Sequence, residues 1–164
     1  MWFKNQDVGL DYVASAPFRF VTVRELAASP EEVFAILADG DSWPRWFPDF
    51  RRVEWTTPEP RGVGSVRHVT LKALQAKERF LAWEPGRRWS FVLYESTLPV
   101  LGAMVEDYAM EPLANGHTRL TINACYTLRW FARPIHPILR AVFGKLFAKA
   151  GDGLQEYIAR GAHR

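Results

Sequence analysis

The feature that most constrains this fold is a change of apolar period near residue 130. Five runs before it, residues 65–71, 76–84, 89–95, 103–111 and 119–128, read as strands, with β-branched and aromatic side chains set in alternation. From Ile138 to Ile158 the apolar residues instead recur every three or four positions, through Leu139, Val142, Phe143, Leu146, Phe147, Ala150, Leu154 and Tyr157. That spacing predicts one long amphipathic helix, which Gly144, Gly151 and Gly153 should weaken or bend, with Pro134 and Pro137 holding its approach. The connectors Glu84-Pro85-Gly86 and Ala114-Asn115-Gly116 carry turn chemistry, so consecutive strands should pair antiparallel as a meander. Residues 18–27 and 50–56 bring the expected total to seven strands. A curved sheet with one long helix to wrap leaves a cavity between the two.

The segment between the first two strands, ASPEEVFAILADGDSWPRWFPDFRRVEW, reads as two short helices. Ser29 is the expected N-cap of the first, Pro30 takes its first position, and Glu31 and Glu32 face the positive end of the helix. Val33, Phe34, Ile36 and Leu37 form its apolar face. The second helix, capped by Asp41 or Ser42, gathers Trp43, Trp46 and Phe47 around Pro44 and Pro48, which end it at once. The pair forms an aromatic plug over the open side of the sheet.

With 164 residues the chain is expected to be a single domain, residues 17–160 behind a leader of residues 1–16. Seven Trp and eleven Phe exceed what a plain core needs and suit the wall of a ligand cavity. The one cysteine, Cys125, excludes an internal disulfide and reads as a small buried strand residue. A net charge of +3, with basic residues scattered in pairs such as Arg51-Arg52 and Arg87-Arg88, does not describe a nucleic-acid surface. No stretch reads as a signal peptide or membrane span, so a cytoplasmic location is expected. His68, His117 and His136 show no metal-ligand spacing, and no nucleophile motif accompanies them, so neither a metal nor another cofactor is expected.

Three stretches carry a resemblance to a known family: the plug segment just quoted, GVGSVRHVTL (62–71) and KERFLAWEPGRRWSFVL (77–93). Over about residues 17–160 the chain resembles the START/SRPBCC superfamily, and its first stretch is similar to the polyketide cyclase/dehydrase-like branch. The resemblance implies an α+β helix-grip fold, in which a seven-stranded curved antiparallel sheet wraps a long C-terminal helix, with two short helices between strands 1 and 2. The second and third stretches resemble a strand pair of the plant abscisic-acid receptors. Where those receptors carry a Ser-Gly-Leu-Pro gate loop this chain has Lys72-Ala73-Leu74-Gln75, which argues against a gated hormone receptor.

Strand parity and the resemblance together assign the inward faces. The resemblance to the receptor strand pair implies that Arg67, Val69 and Leu71 point inward on one strand, and Glu78, Phe80 and Ala82 on the next. Trp89, Phe91 and Leu93 follow, then Met104, Glu106, Tyr108 and Met110, then Leu120, Ile122, Ala124 and Tyr126. With Trp43, Trp46 and Phe47 from the plug and Phe143, Phe147 and Tyr157 from the helix, they make an apolar wall with Arg67, Glu78 and Glu106 as a polar anchor. The alternative is that Arg67 and Glu78 form a structural pair at the sheet edge and Glu106 faces solvent.

The expected function is binding of a hydrophobic small molecule, a lipid, polyketide or aromatic metabolite. One alternative is a polyketide cyclase/aromatase or dehydratase with Glu106 and Tyr108 as candidate catalytic groups. Another is a membrane-apposed lipid carrier, since Arg129, Arg133, Arg140, Lys145 and Lys149 accompany Trp130 and Phe131 near the last helix.

Overall fold

The computed structural model describes residues 1–161. In chain order its elements are β1 (Phe3–Lys4), α1 (Tyr12–Ser15), β2 (Phe18–Leu26), α2 (Pro30–Ala38), α3 (Trp43–Trp46), β3 (Phe50–Trp55), β4 (Val66–Leu71), β5 (Gln75–Glu84), β6 (Arg88–Ser96), β7 (Leu101–Pro112), β8 (Thr118–Leu128) and α4 (His136–Ala159). The strands form one antiparallel sheet in the order β2-β8-β7-β6-β5-β4-β3. α4 closes the concave side, which is the helix-grip architecture.

The seven expected strands make this continuous path, and a two-residue eighth strand, β1, is added to it from the leader. β6 stops pairing with β7 beyond the Val92–Val105 pair, and the leader fills the gap. Phe3 pairs with Ser96, the Asn5 amide donates to the Tyr94 carbonyl at 2.9 Å, and the Gln6 amide donates to the Gly102 carbonyl at 2.8 Å. A two-residue strand has no period to read, so its pairing was invisible in the sequence.

The plug forms as its capping residues dictate. Ser29 Oγ accepts from the Glu32 amide, and the Glu32 carboxylate accepts from the Ser29 amide at 2.8 Å, a reciprocal capping box. Val33, Phe34, Ile36 and Leu37 are buried as the spacing requires. Ser42 holds the N-cap position of α3 without a side-chain capping bond, and the turn just before it is capped by Asp39, whose carboxylate accepts from the Asp41 amide at 3.0 Å. Ser42 turns inward, where its hydroxyl donates to the Ile36 carbonyl at 2.7 Å and accepts from the Trp46 indole at 3.2 Å. The Trp43 indole donates to the Leu37 carbonyl at 2.9 Å, tying α3 to α2.

α4 runs unbroken past its glycines, which serve close approach. A Cβ on Gly151 would lie 2.8 Å from Thr22 Cγ2 on β2. One on Gly153 would lie 1.9 Å from the Trp46 carbonyl oxygen. The helix is thus seated on the backbone of the plug at Gly153 and on the side chains of Thr22 and Arg24 of β2 at Gly151, at spacings that leave no room for a Cβ.

Candidate functional site

Two irregularities in β5 and β6 decide what faces inward. Arg67 on β4 pairs directly with Glu78 on β5, as parity requires. Beyond Phe80 the register shifts, so Ala82 lies opposite Ser90 and Trp83 opposite Trp89. A bulge gives one strand an extra residue and turns the side chains after it to the other face. Ala82 is therefore on the outer face, contrary to what the resemblance implied, and Trp83 packs inside against Phe34, Trp55, Phe80 and Trp89.

Arg67 has no exposed surface. Its Nε donates to Glu78 Oε2 at 2.5 Å, and its guanidinium carbon sits 4.7 Å from the ring centres of both Trp43 and Trp89. Phe91, Phe80 and Trp55 complete the cage at 5.1, 5.4 and 5.7 Å. Among the described residues Nη1 and Nη2 have no hydrogen-bond acceptor, so the π faces of the rings stand in for one. Burial pushes the Glu78 carboxyl upward, and the Arg67 guanidinium opposes that push. A guanidinium keeps its proton, so Glu78 is the counter-charge to Arg67. The pair lies inside the sheet, away from its edges.

Glu106 also turns inward, and the surface it retains faces the cavity. The Tyr108 hydroxyl donates to its Oε2 at 2.9 Å. Burial, with the Glu78 charge adding to it, pushes the Glu106 carboxyl up to about 8, against the smaller pulls of Tyr108 and Arg67. Burial likewise carries Tyr108 well above its ordinary value. Glu106 is thus a protonated acid at neutral pH. Its folded-state value lies above the ordinary 4.5, so the native state binds the extra proton in the window between 4.5 and about 8, and stability falls as pH rises through it. The Glu106→Gln variant should show a flatter decline in urea midpoint between about pH 5 and about pH 9 than the parent protein. Equal declines would place the ionisation elsewhere.

These groups border an interior cavity between the sheet, the plug and α4, with about 50 Å³ for the centres of water-sized molecules. Its wall includes Trp43 and Phe47 of the plug and Val69, Leu71, Glu78, Phe91 and Leu93 of β4 to β6. Met104, Glu106 and Tyr108 of β7 and Phe143 and Phe147 of α4 complete the part anticipated from the sequence. Trp46, Phe80, Trp89, Met110, Ile122, Tyr126 and Tyr157 lie instead in the core around it, and Arg67 is sealed behind its rings. Tyr126 stacks on Phe20, and its hydroxyl and His136 Nε2 are 2.9 Å apart, which explains a histidine between two prolines. The wall also takes Phe50, Leu74, Ala76, Ser96, Leu98, Leu101 and Leu146. Parity would have found Ala76, which shares a face with Glu78. Leu74 and Leu98 lie in connectors, which have no parity.

Among the described residues no group of His, Cys, Asp and Glu is placed to hold a metal ion, and no helix is long and apolar enough to cross a membrane. Trp130 and Phe131 are exposed.

The model of the polyketide cyclase/dehydrase and lipid transport family matches residues 17–159. Uncharacterised proteins of Mycobacterium tuberculosis and Mycobacterium bovis are 34% identical over 151 residues, covering 92% of this chain and 90% of theirs. Among solved structures, the Zhui aromatase/cyclase from a Streptomyces species superposes with a TM-score of 0.76 at 17% identity, covering 88% of this chain and 95% of that one. A START superfamily protein from Mycobacterium smegmatis superposes with a TM-score of 0.74 at 14% identity, covering 87% and 97%. At these identities the likeness is one of fold.

Proposed function

The chain belongs to the polyketide cyclase/dehydrase and lipid transport family, and from that premise we propose that it binds a hydrophobic small molecule in its interior cavity. The observation that carries this reading is the wall itself: Glu78, Ser96, Glu106 and Tyr108 are its polar members, and every other side chain on it is apolar or aromatic. Such a wall gains free energy by taking apolar surface out of water, and its few polar groups fix orientation. The space is narrow, so a ligand of two or three rings enters by displacing side chains such as Phe143, Leu146, Leu74 or Leu98. These residues come from α4 and the strand connectors.

The uncharged dye N-phenyl-1-naphthylamine tests this. Saturable binding should weaken at least about tenfold in the cavity-filling Ala76→Leu variant. Binding unchanged by that substitution would put the dye, and the function, elsewhere.

Glu106 supports a second reading, acid–base chemistry on a bound substrate. A buried carboxylic acid that stays protonated at neutral pH, held by Tyr108, is suited to protonate a carbonyl oxygen during cyclisation or dehydration. In that case Glu106→Gln should lower turnover of a polyketide-like substrate by at least about a hundredfold while binding changes little. Retained turnover would remove Glu106 from the chemistry.

A further inference from the structure

Resting on the binding reading above, we propose that the cavity selects an uncharged ligand carrying a hydroxyl group, held between Glu78 and Glu106, and turns away carboxylates of the same size. The wall contains no Lys, Arg or His. The nearest cation, Arg67, has no exposed surface, and its Nε is engaged by Glu78. Trp43 and Phe91, two of the rings over its guanidinium, are themselves wall residues and so keep its N–H groups out of a ligand's reach. An entering carboxylate would meet two carboxyl groups and no cation, and would lose its water without compensation.

A hydroxyl fits what remains. Tyr108 donates to Glu106 Oε2 and Arg67 to Glu78 Oε2, and no protein group among the described residues donates to Oε1 of either glutamate. Ser96 is already engaged by Asn5 and by the backbone of Leu98. The ionised Glu78 can accept a proton donor, and the protonated Glu106 can supply one. A ligand hydroxyl does both at once. A carbonyl satisfies Glu106 alone, and a carboxylate satisfies Glu106 while facing the Glu78 charge.

Calorimetric titration at about pH 6.5 with three size-matched probes, 2-naphthol, 2-methylnaphthalene and 2-naphthoate, reads this directly. 2-Naphthol should bind at least about tenfold tighter than either of the others. In Glu106→Leu its advantage over 2-methylnaphthalene should shrink, with thermal unfolding confirming that the variant is folded. Equal binding of all three, or tighter binding of 2-naphthoate, would overturn the selectivity and leave the hydrophobic site standing. Failure of every probe to saturate the protein would remove both.

A separate observation concerns the surface beside the cavity. Trp130, Phe131, Ile135, Ile138 and Val142 are 79, 50, 44, 66 and 57% exposed, half of the exposed large apolar side chains among the described residues. Arg133 and Arg140 are exposed in the same stretch, and no Asp or Glu lies between residues 129 and 151. The patch adjoins the cavity wall: Arg129 donates to the carbonyls of Val100 and Leu101, and Leu101 is a wall residue, as are Phe143 and Leu146 further along α4. We infer that it docks on an anionic membrane surface. Rings and aliphatic side chains would enter the headgroup boundary while the arginines meet phosphates.

Vesicles of phosphatidylcholine with about 30% phosphatidylserine should carry the protein in flotation, and vesicles without phosphatidylserine should carry much less. Trp130→Ala with Phe131→Ala should reduce the floated fraction at least about fivefold without changing the melting temperature. No flotation of the parent protein, or undiminished flotation of the variant, would overturn the inference. The first result would turn the search toward an acidic protein partner.

Discussion

The Gly153→Ala variant is expected to lose about 3 kcal/mol of stability, although alanine normally favours a helix over glycine by about 1 kcal/mol. The added methyl would lie 1.9 Å from the Trp46 carbonyl oxygen, and neither group is a flexible side-chain end. Either α4 moves away from α3 or the plug shifts, and both disturb elements that supply wall residues, Trp43 and Phe47 from the plug or Phe143, Leu146 and Phe147 from α4. For a chain of this length that loss corresponds to a fall in melting temperature of about 6 to 12 °C. Gly62→Ala is the control, since a Cβ there meets nothing within 4 Å and its backbone is unstrained. It should stay within about 0.5 kcal/mol of the parent protein. If both variants melt together, the helix does not seat on the plug as described.

The second large effect lies in the buried ion pair. Arg67→Met should cost about 3–5 kcal/mol, because it strips Glu78 of its counter-charge in a site with almost no water. The double variant Arg67→Met with Glu78→Leu should recover most of that loss, and could exceed the parent protein, since an apolar pair of similar volume carries no desolvation penalty. Urea unfolding of the parent, the two single variants and the double variant isolates the coupling between the positions. Additive losses would mean that the two side chains do not act as a pair. The same cycle bears on function: the double variant also removes the ionised acceptor proposed for a ligand hydroxyl, so recovered stability should come with weaker 2-naphthol binding.

Much of this arrangement was legible in the sequence because it rests on local rules. Ser29, Pro30 and Glu32 specify the start of α2 within four residues. Alternation on β7 placed Glu106 and Tyr108 on the inner face, and the resemblance of residues 62–71 to a receptor strand placed Arg67 there. What escaped depends on contacts distant in sequence. Ala82 and Trp83 exchange faces because of a bulge, which no pattern on β5 itself announces. β1 is too short to have a period and is ordered by the gap that β6 leaves. Gly151 and Gly153 read as helix weaknesses until β2 and Trp46 are set against them. Arg67 faces inward as the resemblance implied, yet is withdrawn from the cavity by five rings drawn from four different elements and by its bond to Glu78. That difference, between pointing inward and being reachable, leaves Glu78 and Glu106, of the three expected anchor residues, on the cavity wall.

The central claim is that this cavity admits a small hydrophobic molecule, and the three methionines provide the most direct test. Met104 is on the wall, Met110 is buried in the core beyond it, and Met1 is exposed. The methyl carbon–proton spectrum of protein labelled at methionine, titrated with 2-naphthol, should show a saturable ring-current shift at Met104, a smaller one at Met110 and none at Met1. A Met104 signal that does not move, or shifts confined to Met1, would contradict the account.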